Sequence, residues 1–307
     1  MFRFNLYSGS RIVVLLSRRL AQQPRRAPPL LLLPLVAACA VAPPPPEPPL
    51  PYPPAARQRM LRIAVAEWED WGRRERAPGV AAEAAHPAPA EADPSNFPRV
   101  LAYWRALDDD RGAVARNRRL YAAALSGRGA EDGVVGGPTL WESPAWSAAF
   151  VSFVLRAAGV DRREFPPNAA HGAYVDALIR DAERFPALAP FVPREPGSYA
   201  PRPGDLVCAD RGPDPISHWR QRAADRGRFR PMHCDIVVET GSGSVSAIGG
   251  NVEDAVSLTR FPAGAEGYLL PQPPGGPVWF AVFENRLGRL PPWGENPAPP
   301  PPGSPRS

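Results

Sequence analysis

Lysine is absent from the 307-residue chain: all 36 basic residues are arginine. This skew reflects composition rather than phosphate recognition, because of where the charge lies. Residues 1–38 hold six arginines and no acid; without them thirty basic residues face 31 acidic ones, a net charge near −1. The pI of about 9.5 therefore belongs to the N-terminal segment, and nucleic acid is not an expected partner. A membrane-spanning run is missing as well, since the apolar stretch from Leu30 to Val36 is far short of the ~20 residues a transmembrane helix needs. Cysteine occurs only at Cys39, Cys208 and Cys234, and no internal repeat is visible. Proline is abundant, with 44 residues, so the packed core must be shorter than the chain.

The first 38 residues have the three parts of an export signal: a cationic stretch through Arg26, the apolar run, and small residues before a cysteine. Val36-Ala37-Ala38-Cys39 has the form of a lipobox, so Cys39 is expected to carry lipid and tether the chain to a membrane. Pro28, Pro29 and Pro34, with Pro43 to Pro46 beyond, argue against a buried cysteine in an apolar element. Ala40 rather than aspartate behind Cys39 favours, by analogy with known lipoproteins, the periplasmic face of the outer membrane. The expected organisation is a signal segment (1–38), a proline-rich tether (39–54), a helical extension with an Ala/Pro loop (55–137), a main domain (138–289) and a proline-rich tail (290–307).

Within the extension, Met60, Leu61, Ala64, Val65, Trp68 and Trp71 recur at helical spacing, and Gly72 can end that helix. A second helical region, Pro98 to Leu125, is expected to break near Gly112. The main domain opens on SPAWSAAFVSFVLRAAG, with Ser143 as cap, Pro144 in the first turn and Gly159 as the left-handed exit. Ser147 then lies near the positive end of the helix dipole. Another helical stretch surrounds Tyr174 to Phe185. Strand periodicity follows at Leu206–Ala209, His233–Glu239, Ser244–Ile248, Ser257–Phe261, Gly267–Leu270 and Val278–Phe283, with Gly249-Gly250 placing Asn251. Helices first and antiparallel strands after make an α+β fold.

The ordered set PAWSAAFVSFVLRAAG, PGDLV, HCDIVV and IGGNVEDAVSLTRFP resembles the papain-like NlpC and CHAP superfamily of peptidoglycan hydrolases. With the lipobox and the early Glu67-Trp68…Trp71-Gly72 helix, the chain most closely resembles a bacterial lipoprotein family defined as domain of unknown function 2272. The resemblance implies a nucleophile-bearing helix packed on an antiparallel sheet, and peptidoglycan or muropeptides as the partner. By position Ser147 stands where that superfamily has a cysteine, His233 where it has the base, and Asn251 where it has the polar residue that orients the imidazole.

A thiol ionises near neutrality with modest help, whereas a hydroxyl needs an aligned base. The chain is thus expected to be either a serine variant of a cell-wall amidase or endopeptidase, or a retained fold that binds the wall without cutting it. Strand alternation puts Asp235 on the His233 face, and Trp146 and Trp141 are expected as cleft walls beside the helix head. Cys208 and Cys234 either face each other across an antiparallel pair as a disulfide or remain two buried thiols. A metal site at Cys208, His233 and Cys234 is disfavoured because adjacent strand residues point oppositely, and no cofactor is expected. His171 and His218 are secondary candidates, and the arginine-rich Asp210 to Met232 either covers the cleft or contacts acidic muropeptide stems, or is a solvated insertion.

Overall fold

The computed structural model describes residues 45–53, 55–76, 90–126, 140–274 and 276–288. The signal segment with Cys39, the Ala/Pro stretch containing His86 and the tail from Leu290 lie outside them. Helix α1, Ala55–Asp70, buries Ala56, Met60 and Ala64 one turn apart, as the spacing predicts, and Gly72 takes a left-handed φ of 84° where the chain turns into β1, Arg74–Arg76. The second helical region is two helices, α2 at Phe97–Arg105 and α3 at Ala113–Leu125, with Gly112 at φ 75° where α3 begins. Helices α4, Ser147–Ala157, and α5, His171–Arg184, complete the helical layer.

The remaining strands are β2 Phe191–Arg194, β3 Leu206–Asp210, β4 Met232–Gly241, β5 Ser244–Val252, β6 Ala255–Pro262 and β7 Val278–Asn285. They form one seven-stranded sheet in the order β1-β6-β5-β4-β3-β7-β2, antiparallel except for the β1–β6 pair. The edge strands β1 and β2 carry no alternating apolar pattern, which is why periodicity does not announce them. Conversely, Gly267–Leu270 contributes only an isolated bridge, Ala263 to Leu269.

Alternation divides the sheet. Leu206, Cys208, Cys234, Ile236 and Ile248 face the helices and join Met60, Trp71, Trp104, Trp146 and Phe150 in one core. The residues of α1 and α2 therefore have no separate core from the sheet domain. Val207, Ala209, Val237, Ala247, Phe261 and Trp279 form the opposite face, covered by Leu269 and Tyr199. Cys208 and Cys234 are direct partners in the β3–β4 register, Cα–Cα 4.2 Å, and form a disulfide on the helical face. The Pro-Gly-Asp turn before β3 is pinned by Asp205, which accepts hydrogen bonds from Arg202 N, Asn285 N and Tyr199 Oη; burial pushes its carboxyl up to about 6.

Two loops are held more firmly than composition suggests. At the end of the expected tether, Leu50 N and Tyr52 Oη both donate to Glu164, at 3.0 and 2.9 Å. Between β3 and β4, buried Arg222 bonds to Asp176 and Asp225, and Arg230 bonds to Asp210 and Asp225. Arg222 and Arg230 thus pin that otherwise largely exposed segment to α5 and to the end of β3.

Candidate active site

Helix α4 begins at Ser147, not at Ser143: Trp146 is the capping residue, and its side chain makes no capping hydrogen bond to the helix. In a capping box the N–H of that residue is satisfied by a side chain three positions on, but Ala149 has no such group. Asn251 on β5 does so instead, its Oδ1 accepting from Trp146 N at 3.2 Å. The Asn251 amide in turn donates to Glu91 Oε2 at 2.7 Å, and the Trp146 indole donates to the same oxygen at 2.5 Å. Glu91 is buried, and desolvation pushes its carboxyl up to about 7, with Asp254 and Glu142 acting the same way and its two donors opposing them. Behind this network Trp71 stacks on Trp146 with ring centroids 5.4 Å apart, and Trp71 Nε1 donates to Tyr103 Oη at 2.9 Å. The Glu67-Trp68…Trp71-Gly72 pattern thus buttresses the helix head.

The hydroxyl of Ser147, partly exposed, lies 2.7 Å from Nε2 of His171, the first residue of α5. The connection between the helices fixes this approach. Ser152 Oγ donates to Ala148 O at 2.8 Å and accepts from Asn168 N at 3.1 Å, while Asn168 Oδ1 accepts from Ala170 N at 3.0 Å. His171 Nδ1 lies 2.5 Å from the hydroxyl of Tyr174, one turn further on. Burial, then the neighbouring His233 and Arg211, holds the His171 imidazolium well below the usual histidine range, so the ring is neutral at neutral pH. Burial and Asp235 raise Tyr174, which stays a phenol. In the tautomer with Nδ1–H donating to Tyr174 Oη, Nε2 presents its lone pair to the Ser147 hydroxyl.

His233 has a different partner. Its Nε2 lies 2.8 Å from Asp235 Oδ1 on the same strand face, and its Nδ1 is buried without a hydrogen bond. The two histidine rings lie 5.2 Å apart. The double glycine in β5 makes both arrangements possible: a Cβ on Gly249 would overlap Asp235 Oδ1 and crowd His233 Nε2, and one on Gly250 would overlap the Cβ of Phe150 on α4. The sequence-based grouping of Ser147, His233 and Asn251 is accordingly rearranged. Ser147 meets His171, His233 meets Asp235, and Asn251 holds the helix head through Trp146 N and Glu91 rather than orienting an imidazole.

His233, Asp235 and Asn251 line a cleft of about 330 Å³ with Arg211, Thr259 and Trp279. Trp141 and Trp146 do not form its walls. Both side chains are fully buried in the core, Trp141 against Phe97 and Trp146 against Trp71, since large rings beside a helix head gain more from packing than from water. His218 is tied to Glu195 at 2.5 Å and stays outside the site. Sequence reasoning ranked His171 low and missed Glu91. The His-x-x-Tyr spacing at a helix start was a usable signal for the first; Glu91 follows an Ala/Pro stretch and has none. Among the described residues no cluster of three or more His, Cys, Asp or Glu is arranged to hold a metal, and no helix is long and apolar enough to cross a membrane.

These elements define a mixed α+β protein whose helix head, two histidines and cleft meet at one end of a seven-stranded sheet. Residues 91–283 match the model of a family described as uncharacterized proteins conserved in bacteria (DUF2272), and the chain belongs to it. No curated protein and no solved structure matches the chain.

Proposed function

We propose that the protein is an envelope lipoprotein with a papain-like NlpC/CHAP-type domain that hydrolyses an amide bond of cell-wall peptide, using serine in place of cysteine. The observation that carries this reading is the 2.7 Å contact between Ser147 Oγ, at the first position of a helix, and Nε2 of a neutral, buried His171. In the reaction Ser147 Oγ bonds to the scissile carbonyl carbon while its proton passes to His171 Nε2. The tetrahedral oxyanion is met by N–H groups of the α4 head, which lack intrahelical partners. As the C–N bond breaks, His171 returns the proton to the leaving amine, and water, deprotonated by the same nitrogen, releases the acyl group from Ser147. Tyr174 fixes the imidazole tautomer. Lipid on Cys39 holds the domain at the periplasmic face of the outer membrane, within reach of peptidoglycan.

A non-catalytic wall-binding role is the second reading. It is favoured by one observation: the cleft lined by His233, Asp235 and Asn251 does not include Ser147 in its wall. The deciding experiment compares wild type, Ser147→Ala and Ser147→Cys on purified peptidoglycan, with products identified by mass spectrometry. Cleavage by wild type that disappears in Ser147→Ala supports the hydrolase. Cleavage by Ser147→Cys alone points to a retained, inactive site, and unchanged cleavage by Ser147→Ala removes Ser147 as nucleophile.

A further inference from the structure

Arg211 differs from its neighbouring arginines. Arg76, also on the cleft wall, is turned to Glu253 with Nε–Oε1 at 3.5 Å. Arg222 and Arg230 are bonded to carboxylates of the adjoining loop and α5. Arg211 directly follows β3 and is exposed on the cleft wall, and its guanidinium has no hydrogen-bond or ion-pair partner among the described residues. Its charge is close enough to disfavour protonation of His171, the partner of Ser147.

His233 and Asp235, on the same wall, are already paired to each other, Nε2 to Oδ1 at 2.8 Å. Asp235 and Glu253 are the carboxylates of the cleft, and each already has a cationic or imidazole partner. What remains open to a ligand is the exposed, planar five-donor fork of Arg211, which is complementary to a carboxylate.

We propose that Arg211 anchors a carboxylate of the substrate, so that the site takes an acidic peptide whose free carboxylate lies close to the bond presented to Ser147. This rests on the assignment of Ser147 as the reacting group. In the bound state the carboxylate pairs with the Arg211 guanidinium. Arg211 thereby determines specificity, and neutral or amidated peptides lose the anchoring pair.

The test uses the full chain and two N-acetylated dipeptides that differ only in a free or an amidated C-terminus. Binding is followed by competition saturation-transfer NMR, and protection of Arg211 from phenylglyoxal is followed by peptide mass mapping. The free carboxylate is expected to bind about tenfold more tightly than the amide and to protect Arg211. That preference should vanish in Arg211→Gln and survive in part in Arg211→Lys. Equal binding of both dipeptides, a preference that persists in Arg211→Gln, or no binding of the carboxylate form at tens of millimolar overturns the proposal. Arg211-dependent carboxylate binding by a protein that neither cuts nor retains peptidoglycan would sink the cell-wall reading and leave the anchor standing. Peptidoglycan cleavage that is unchanged in Arg211→Gln would do the reverse.

Discussion

The carboxyl group of Glu91 and the amide of Asn251, 160 residues apart in sequence, meet at 2.7 Å behind the head of α4. Through Asn251 Oδ1 and the Trp146 N–H, this contact fixes where the helix begins, and hence where Ser147 presents its hydroxyl to His171. The site therefore depends on a brace that belongs to neither histidine.

Removing the hydroxyl or its partner should have similar consequences. In the hydrolase reading, Ser147→Ala and His171→Ala each lower the rate on purified peptidoglycan by about 10³-fold, and the double variant is little worse than either, because the two act as one unit. His233→Ala should cost less at the attack step, since its Nε2 bonds to Asp235. Single-turnover product formation measured by mass spectrometry separates these cases.

The pH profile should reveal His171. Attack requires the neutral ring, and burial holds its pKa well below the ordinary value of ~6.5. The rate should therefore stay level as pH falls through ~6.5 and decline only in more acidic solution. The same depressed pKa means that the stability contributed by the neutral ring is complete above ~6.5 and lost as pH drops below it. A rate midpoint at or above 6.5 would contradict the assignment of His171 as base.

Glu91 makes the opposite contribution. Its pKa rises from an ordinary 4.5 to about 7 on folding, so the neutral acid is favoured in the folded state. The associated stability is fully present below 4.5 and is lost as pH rises through 7. Glu91→Gln keeps an acceptor for Trp146 and Asn251 without the charge. Denaturant titrations should show the variant gaining on wild type across that interval, by up to about 3 kcal/mol. A constant difference would mean that Glu91 does not titrate there.

The two glycines of β5 should fail differently. In Gly250→Ala the new methyl runs into Phe150, costing about 1–3 kcal/mol of stability with the His233–Asp235 pair left intact. In Gly249→Ala it runs into Asp235 and His233, so the histidine side-chain resonances shift even in folded protein. Thermal melts paired with imidazole NMR distinguish the two.

Denatured, unreduced protein should show no titratable thiol from Cys208 and Cys234, and Cys208→Ala with Cys234→Ala should cost about 3 kcal/mol in urea. Two reactive groups in the unreduced chain would rule out the bridge.

Much of this architecture was legible from spacing alone. Met60 and Ala64 announce the buried stripe of α1, Gly72 and Gly112 mark a helix end and a helix start, and the alternation in HCDIVV puts His233 beside Asp235. These features are local: they depend on the 3.6- and 2-residue periods and on which residues tolerate a left-handed backbone. The same local rules place Cys208 and Cys234 on strands, while their direct pairing comes from the β3–β4 register.

Partner choice at the site was decided only by the tertiary structure. Motif order pointed from Ser147 to His233, but the Ser152–Asn168 hydrogen bond carries His171 over the helix head first, and Asp235 occupies His233. Nothing in an Ala/Pro-flanked glutamate foretells that Glu91 will brace that head, nor does its sequence position say that Arg211 ends up unpaired in the cleft. The sequence determined which elements form and which faces they bury, because those follow from short periods along the chain. Which hydroxyl meets which imidazole depends on how elements far apart in sequence pack to ångström tolerance, and only the assembled fold specifies that distance.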